Sequence, residues 1–164
     1  MSYRLATRDD WPRIDPLLRA FLVEHRLGGS AAVVSARNVE NYRRLAEDYL
    51  HGRIPGVVVL AHEDNRLVGF ALAGEPQAPG WLELDGGKTA VVWIAYVDPA
   101  YRKKGVALGM LVWGRPHLLE LGFETATMGV REDNEVALAL CRAFGARASE
   151  RLLRFPLNEE PGHG

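Results

Sequence analysis

The chain of 164 residues carries 20 Lys and Arg against 21 Asp and Glu, a formal net charge of −1 at pH 7, and 48% of its residues are hydrophobic. This composition is typical of one soluble globular domain. The near-neutral charge argues against a nucleic-acid-binding protein, which needs a broad basic surface.

Two further features of the sequence bear on its compartment. Cys141 is the one cysteine, so no internal disulfide can form and a reducing compartment is expected. The first residues lack the charged and then apolar pattern of a secretory signal, and no apolar stretch reaches the length that spans a bilayer. We therefore expect a cytoplasmic protein without a membrane anchor.

The first half of the chain predicts a strand, two helices and a hairpin. Asp9 or Asp10 offers a helix cap ahead of Trp11, and Pro12 suits a first helical turn. Apolar spacing and turn residues predict a strand at 3–6, helices at 11–27 and 37–50, strands at 57–61 and 67–73, and loops at 28–36 and 74–88. The hairpin indicates that the sheet begins with antiparallel strands.

The second half predicts strands and helices in alternation. Residues 89–97 form an apolar run rich in Val, as in a strand that is buried on both sides. After it the pattern predicts a helix that ends near 121, a strand at 124–130, a helix from 135 to about 145, and a last strand at 147–155. This order indicates a mixed α/β sheet with crossover helices in its second half.

A basic turn joins the apolar strand to the next helix, and it reads RKKGVA from Arg102 to Ala107. A helix start presents backbone N–H groups without partners at the positive end of the helix dipole. Glycine in such a turn allows an anion to approach the backbone closely. The turn therefore suits a phosphate or pyrophosphate group. The alternative is a solvated loop in which the basic side chains only face water.

Two segments of the second half resemble the central motifs of the GNAT superfamily of N-acetyltransferases. Residues 97–107 read VDPAYRKKGVA, which is similar to the acyl-CoA motif of that family, Arg/Gln-x-x-Gly-x-Gly/Ala. Residues 134–146 read NEVALALCRAFGA, which is similar to its second segment, Asn-x-x-Ala-x-x-Leu-Tyr-x-x-x-Gly-Phe. The order of the predicted elements also matches along nearly the whole chain.

The resemblance implies one α/β (α+β) domain over residues 1–156, followed by a flexible tail at 157–164. Its fold would be a mixed, mostly antiparallel central sheet with splayed central strands, flanked by about four helices. The implied activity is the transfer of an acetyl group from acetyl-CoA to a primary amine of a small molecule or a protein, by direct attack. A homodimer is an expectation at the level of the family.

The resemblance also implies where the donor binds, because in this family acetyl-CoA lies against the strand that precedes the glycine turn. The residues expected to contact it are Ala95, Tyr96, Val97, Arg102, Lys103, Lys104, Gly105, Val106, Ala107, Leu108 and Asn134. The strand residues among them would hold the pantetheine arm and the thioester, and the N–H groups after Arg102 would hold the pyrophosphate. Asn134 is in addition a natural cap for the helix that follows it.

The catalytic groups fall partly at positions where the chain departs from its relatives. The N–H group of Val97 is expected to polarise the thioester carbonyl. Cys141 stands where relatives carry the tyrosine that reprotonates the leaving thiolate. A thiol can donate that proton, and a cysteine can equally be a small buried hydrophobe. Val91 and Gly129 stand where relatives carry a glutamate base.

The general base is therefore sought elsewhere, since a lysine-type amine with a pKa near about 10.4 must lose a proton before it attacks. Glu83 is the base that we carry forward. Glu24, His25 and Asp85 are alternatives, and the hydroxyl of Tyr96 is a further group that could contribute. For each of these, a surface or packing role is the competing explanation. The loops at 28–36 and 74–88 are expected to border the acceptor site.

The sequence leaves two alternative functions open and predicts no metal site. A GNAT-like domain could hold acyl-CoA as a sensor or scaffold without catalysis, which the missing tyrosine and glutamates favour. An acyltransferase for a longer acyl group is the other rival, and the depth of the pocket around Trp93 would decide it. No metal is expected, because the five histidines are scattered without metal-ligand spacing.

Overall fold

The computed structural model describes residues 1–27, 36–76 and 88–148. Within these ranges the chain forms five strands and four α-helices: β1 (Ser2–Leu5), α1 (Trp11–Leu27), α2 (Ala36–Leu50), β2 (Gly56–Glu63), β3 (Arg66–Gly74), β4 (Thr89–Val97), α3 (Val106–Glu120), β5 (Thr125–Thr127) and α4 (Glu135–Ala143). The predicted succession of elements is confirmed over this part of the chain. None of the helices in these ranges is long and apolar enough to cross a membrane.

Some predictions differ from the structure or fall outside it. The strand predicted at 124–130 is shorter, at Thr125–Thr127, and the loop predicted to end at residue 36 ends earlier because Ala36 already begins α2. Residues 28–35, 77–87 and 149–164, which include most of the two loops, the last predicted strand and the tail, lie outside the described residues.

The five strands form one sheet in the order β1-β2-β3-β4-β5. The pairs from β1 to β4 are antiparallel, and β4 pairs with β5 in parallel. The hairpin between β2 and β3 turns at Asp64 and Asn65, whose φ angles are +48° and +62°. Two residues with positive φ favour the tight turn whose twist matches that of its strands. The predicted mixed sheet and the predicted hairpin are both confirmed.

Helices cover both faces of this sheet, as a sheet with two apolar faces requires. One buried cluster lies under α1 and α2 and contains Ile14, Leu18, Leu60, Leu72 and Ile94. The other lies under α3 and contains Val68, Ala71, Val97, Val106 and Met110. We call them the α1–α2 core and the α3 core.

A β-bulge at Trp93 changes which face of the sheet the residues of β4 present. The register with β3 shifts between Leu72 and Ala73, so that Trp93 has no partner of its own. Before the bulge Val92 packs in the α3 core, and after it Ile94 packs in the α1–α2 core. An extra residue in one strand reverses the alternation of its side chains. Both ends of β4 can therefore present an apolar side chain to α3.

Tyr49, near the end of α2, joins that helix to the ends of β2, β3 and β4. Its hydroxyl donates to the carbonyl of Glu75 at 2.8 Å and accepts from the indole N–H of Trp93 at 3.0 Å. Its ring lies over the paired residues Gly56 and Gly74, where a Cβ would approach within 2.8 Å of ring atoms. Burial raises the pKa of the Tyr49 hydroxyl well above its usual range, so it stays a neutral donor.

Asp10 is a buried carboxylate that ties β1 to the start of α1. Its side chain is 7% exposed and accepts two hydrogen bonds from the Arg4 guanidinium, at 2.5 and 2.7 Å. It also accepts from the backbone N–H of Thr7 at 2.8 Å. With Thr7 this carboxylate forms the capping box of the 3₁₀ turn Arg8–Asp10 that leads into α1. The residue at the cap position is therefore Thr7, and Asp10 is its capping-box partner.

We expect Gly74→Ala to destabilise the fold by about 3 kcal/mol, at the upper end of the cost of overpacking. An added Cβ would lie 2.4 Å from the Cα of Gly56 and 2.6 Å from the carbonyl oxygen of Pro55. Backbone atoms cannot move aside without separating β2 from β3. Gly129→Ala is the matched control, since its Cβ would meet no atom within 4 Å. Urea unfolding measures both, and equal stability of the two variants would contradict the close approach.

Asp10→Asn should cost about 1–3 kcal/mol at neutral pH, because the Arg4 guanidinium then loses its charged acceptor. Arg4 and the Thr7 N–H hold the pKa of Asp10 well below its ordinary value. A depressed pKa stabilises the folded state above the unfolded value of about 3.9, and this contribution is lost as the pH falls toward the folded value. In urea titrations the gap between wild type and variant should shrink on acidification. A gap independent of pH would contradict this account.

Candidate active site

The pairing of β4 with β3 sets which backbone groups of β4 point outward. The N–H of Asp98 donates to the carbonyl of Val68 at 2.8 Å, and the register places Val97 opposite Gly69. In an antiparallel pair, hydrogen-bonded and non-hydrogen-bonded positions alternate. Val97 and, two residues earlier, Ala95 are therefore at non-hydrogen-bonded positions. Their N–H and C=O groups point away from β3.

The strand on the other side of β4 covers only its beginning. β4 pairs with β5 at Thr89, Ala90 and Val91 and then continues to Val97. Within residues 88–148, β5 ends at Thr127, so the two strands part after Val91. The predicted splay of the central strands is confirmed. The outward backbone groups at the end of β4 face the resulting gap.

A tight turn carries the chain from β4 into α3. The carboxylate of Asp98 accepts from the N–H of Ala100 at 3.0 Å and caps a 3₁₀ turn at Pro99–Tyr101. Lys103 and Gly105 follow with φ angles of +63° and +74°. The left-handed region favours glycine and is uncommon for a residue such as lysine. The backbone of this turn is thus folded back on itself just before α3 begins.

The first turn of α3 presents donors that its own helix cannot satisfy. Gly105 is the residue that caps the helix and has no side chain to accept from them. The N–H groups of Val106, Ala107 and Leu108 therefore have no acceptor within the helix. A Cβ on Gly105 would meet no atom within 4 Å. With the positive end of the helix dipole, these donors fit an anionic group such as a diphosphate.

Cationic side chains flank the aromatic ring of Tyr101 beside this turn. The Nζ of Lys104 lies 5.2 Å from the ring centroid, and the guanidinium carbon of Arg66 lies 5.6 Å from it. Arg66 also pairs with Asp98 at 3.2 Å. Each cation at such a distance is attracted by the negative face of the ring. The turn is therefore locally basic in a chain whose net charge is near zero.

The guanidinium of Arg102 is held by acceptors of the protein itself. Its Nε donates to the carbonyl oxygen of Val97 at 2.9 Å. Its Nη2 donates to both carboxylate oxygens of Glu24, at 2.8 and 2.7 Å, and its Cζ lies 5.4 Å from the ring centroid of Tyr96. Arg102 therefore joins the end of β4 to the end of α1.

Tyr96 and Glu24, two of the groups weighed as possible bases or hydroxyl contributors, are in direct contact. The Tyr96 hydroxyl donates to Oε1 of Glu24 at 3.2 Å. Burial raises the pKa of the Tyr96 hydroxyl, and the neighbouring charge of Glu24 raises it further. The ring packs edge-on against Phe21 in the α1–α2 core. Tyr96 is thus a neutral donor, and Glu24 is the acceptor of two side chains.

The second motif begins at α4. The side-chain oxygen of Asn134 accepts from the N–H of Ala137 at 3.1 Å, so its predicted role as the helix cap is confirmed. The thiol of Cys141 donates to the sulfur of Met128 at 3.7 Å. Met128 follows the end of β5, so this thiol lies beside that end of the strand. Burial raises the pKa of the Cys141 thiol, so it is protonated at neutral pH.

The structure brings together the predicted donor-binding residues of β4, the turn and α3. Glu83 and Asp85, the base candidates of the second loop, lie outside the described residues, as does the side chain of His25. Within the side chains that the structure does describe, no group of three His, Cys, Asp or Glu could hold a metal ion.

Two contacts near the site were not predicted from the sequence. One joins Arg102 to Glu24, which are 78 positions apart in the sequence. The other joins Trp93 to Tyr49 through the indole N–H. A signal existed for the second, because a buried Trp or Tyr needs a hydrogen-bond partner. None existed for the first, since many Arg and Glu residues are equally eligible for an ion pair.

Comparison with known proteins supplies the family context for this site. The model of the acetyltransferase (GNAT) family matches residues 17–146. The chain is 30% identical over 130 residues to mycothiol acetyltransferase of Propionibacterium freudenreichii subsp. shermanii, covering 77% of this chain and 36% of that protein. It is 26% identical over 103 residues to L-2,4-diaminobutyric acid acetyltransferase of Nocardia farcinica, covering 63% of this chain and 50% of that protein. The match therefore spans half or less of each curated relative.

Solved structures with the same fold include aminoglycoside acetyltransferases. Aminoglycoside N-acetyltransferase AAC(6')-Iy, solved in complex with CoA, superposes with a TM-score of 0.68 at 15% identity, covering 94% of this chain and 98% of that one. An aminoglycoside acetyltransferase from an uncultured soil metagenomic sample, solved with sisomicin, gives a TM-score of 0.66 at 18% identity, with 97% and 96% coverage. At these identities the likeness is one of fold.

Proposed function

The chain belongs to the acetyltransferase (GNAT) family, and from this premise we propose that it is an N-acetyltransferase that moves an acetyl group from acetyl-CoA to a primary amine of a small molecule or a protein. The observation that carries the proposal is the divergence of β4 from β5 beside an open helix start. Val97 turns its N–H into that gap. A few residues later, Gly105 leaves the first donors of α3 uncovered.

The residues present fit acetyl-CoA, which supplies the activated acetyl thioester. The N–H groups from Lys103 to Leu108 receive the pyrophosphate, because helix-start donors and positive dipole favour an anion. The outward backbone groups of Ala95 pair with the pantetheine amides as a neighbouring strand would, and the outward N–H of Val97 faces the thioester. Tyr96, between them, keeps its side chain in the core. Lys103, Lys104 and Asn134 complete the donor site that we propose, and the guanidinium of Arg102 lies beside it against the Val97 carbonyl.

The catalytic groups that we propose act at the carbonyl, the thiol and the amine. Val97 donates its N–H to the carbonyl oxygen on which negative charge develops. Cys141 is a protonated thiol that can return a proton to the leaving thiolate. Glu83 is proposed to take the proton of the amine. The relatives named for mycothiol, diaminobutyric acid and aminoglycosides support an amine-bearing acceptor without selecting one.

Gly105→Glu should abolish or weaken acetyl-CoA binding, with a Kd at least about ten-fold higher, or about 1.4 kcal/mol. The added carboxylate would lie in the open space before the helix start and repel an anion. Gly122→Glu is the matched control at the other end of α3, because Gly122 has a φ of +83° and equally open surroundings. Calorimetry with acetyl-CoA measures both variants. Unchanged affinity of Gly105→Glu would refute the assigned site.

A turnover assay separates the enzyme from a module that only binds acyl-CoA. Acetyl-CoA is incubated with L-2,4-diaminobutyric acid, an aminoglycoside and a lysine-containing peptide, and free CoA is quantified by chromatography, which avoids interference from the Cys141 thiol. We expect amine-dependent release of CoA with at least one acceptor class. Tight binding of acetyl-CoA without release for any primary amine would instead support a sensor or scaffold.

Cys141→Ala should lower kcat by about 10², the usual loss when a general acid is removed. Because only the protonated thiol can act as an acid, the rate of the wild type should fall at high pH. Burial raises the pKa of this thiol, so that fall should lie above the ordinary value of about 8.5. Cys141→Tyr, which restores the residue of the relatives, is the control and should keep substantial activity. Full activity of Cys141→Ala would assign the cysteine to packing alone.

A further inference from the structure

We propose that Arg102 is a positioning residue that fixes the peptide after Val97, and that Glu24 holds Arg102 in place for this task. The inference rests on the proposed function, since it assigns a role within the same reaction. The alternative role for Arg102 is direct binding of the pyrophosphate by its basic side chain. The contacts of the Arg102 guanidinium favour the positioning role over direct binding of the pyrophosphate.

The peptide that links Val97 to Asp98 is held from both of its edges. The Asp98 N–H donates to the carbonyl of Val68 on β3 at 2.8 Å. The Val97 carbonyl, on the opposite edge of the same peptide, accepts from Nε of Arg102 at 2.9 Å. The Val97 N–H belongs to the preceding peptide and is separated from this clamped plane by the two backbone torsions of Val97, φ and ψ. Fixing the plane therefore restricts the direction in which the proposed oxyanion donor points.

The gap between the strands makes the Arg102 contact necessary. In the described residues no neighbouring strand donates a hydrogen bond to the outward carbonyl of Val97, because β5 pairs with β4 only as far as Val91. A backbone carbonyl without a protein partner is hydrogen-bonded to water instead, and the peptide would then be held by the Asp98 N–H alone. The side chain of Arg102, five positions after Val97, donates a hydrogen bond to this carbonyl. It does so without filling the space between β4 and β5. The adjacent N–H can then stay available for a substrate.

Glu24 compensates the charge of Arg102 and fixes its orientation. Both carboxylate oxygens accept from Nη2, and the Tyr96 hydroxyl donates to the same carboxylate. The rigid fork of guanidinium donors allows Nε and Nη2 to serve two acceptors at once, which a lysine ammonium cannot do with the same geometry. With its charge already balanced, Arg102 has little to add to the binding of a diphosphate.

Because the Arg102–Glu24 pair is exposed, we expect its loss to leave the free energy of unfolding nearly unchanged. The rate of acetyl transfer should fall nevertheless. The side chains of Arg102 and Glu24 are 41% and 42% exposed. Ion pairs at that exposure contribute about 0–1 kcal/mol to folding. The pair Arg43–Glu47, at 46% and 31% exposure, has the same chemistry and lies within α2. It is the matched control for every measurement below.

The test compares two acetyl donors, acetyl-CoA and S-acetylpantetheine, of which the second has neither pyrophosphate nor adenosine. If Arg102 positions Val97, Arg102→Gln should lower kcat with both donors by the same factor, about ten-fold, less than the 10²–10³ of deleting an oxyanion donor outright. The Kd for acetyl-CoA should stay within about two-fold.

Arg102→Lys should recover only part of the rate, and the double variant with Glu24→Gln should be no slower than Arg102→Gln alone. Arg43→Gln and Glu47→Gln should leave both rates unchanged.

Amide NMR of the free protein gives a readout that does not depend on turnover. In Arg102→Gln the Val97 and Asp98 amide signals should shift and the Asp98 amide should exchange faster with solvent, while signals of β1 and β2 stay in place. A loss of rate confined to acetyl-CoA, with a raised Kd, would make Arg102 a pyrophosphate ligand and overturn the proposal. Unchanged amides would overturn it too. Failure of the wild type to bind acetyl-CoA would instead refute the proposed function.

Discussion

The unequal pairing of β4 is the constraint on which the site depends. One edge of the strand is hydrogen-bonded to β3 up to Asp98, whereas the other is paired with β5 only at Thr89–Val91. Unpaired backbone groups in a sheet are costly when they are buried. Here they face a gap in which water or a substrate can satisfy them. A fully paired β4 would leave no free backbone edge for the acetyl-CoA that we propose, so the proposed site depends on the incomplete ladder.

Local patterns in the sequence predicted the parts of this arrangement that depend on neighbours along the chain. Gly105 at a helix start and Asn134 as a cap are set by the residues next to them, and the order of elements follows from apolar spacing. The bulge at Trp93 could not be predicted, because a strand covered on both faces reads as a continuous apolar run whichever way its side chains alternate. Pairing of Arg102 with Glu24 depends on how α1 packs against the sheet, which no local pattern encodes.

The bulge also explains how one strand serves two cores and a site. Without an extra residue, strict alternation would place the side chains of Val92 and Ile94 on the same face. With it, Val92 packs under α3, Ile94 and Tyr96 pack under α1 and α2, and Val97 returns to the α3 core. The stretch after the bulge is anchored from both faces by apolar side chains. Its backbone edge is therefore rigid at the point where the sheet is least complete.

Two ion pairs of the same chemistry have different roles because their burial differs. The carboxylate of Asp10, 7% exposed, is removed from water, so its bonds to Arg4 and Thr7 count fully toward stability. The carboxylate of Glu24, 42% exposed, is solvated whether or not it meets Arg102, and the pair adds little to folding. What the second pair adds is direction: it holds a guanidinium against one carbonyl at the edge of β4. An exposed ion pair that spans 78 positions of sequence and ends on a backbone carbonyl of the site is better explained by the orientation of that backbone than by stability.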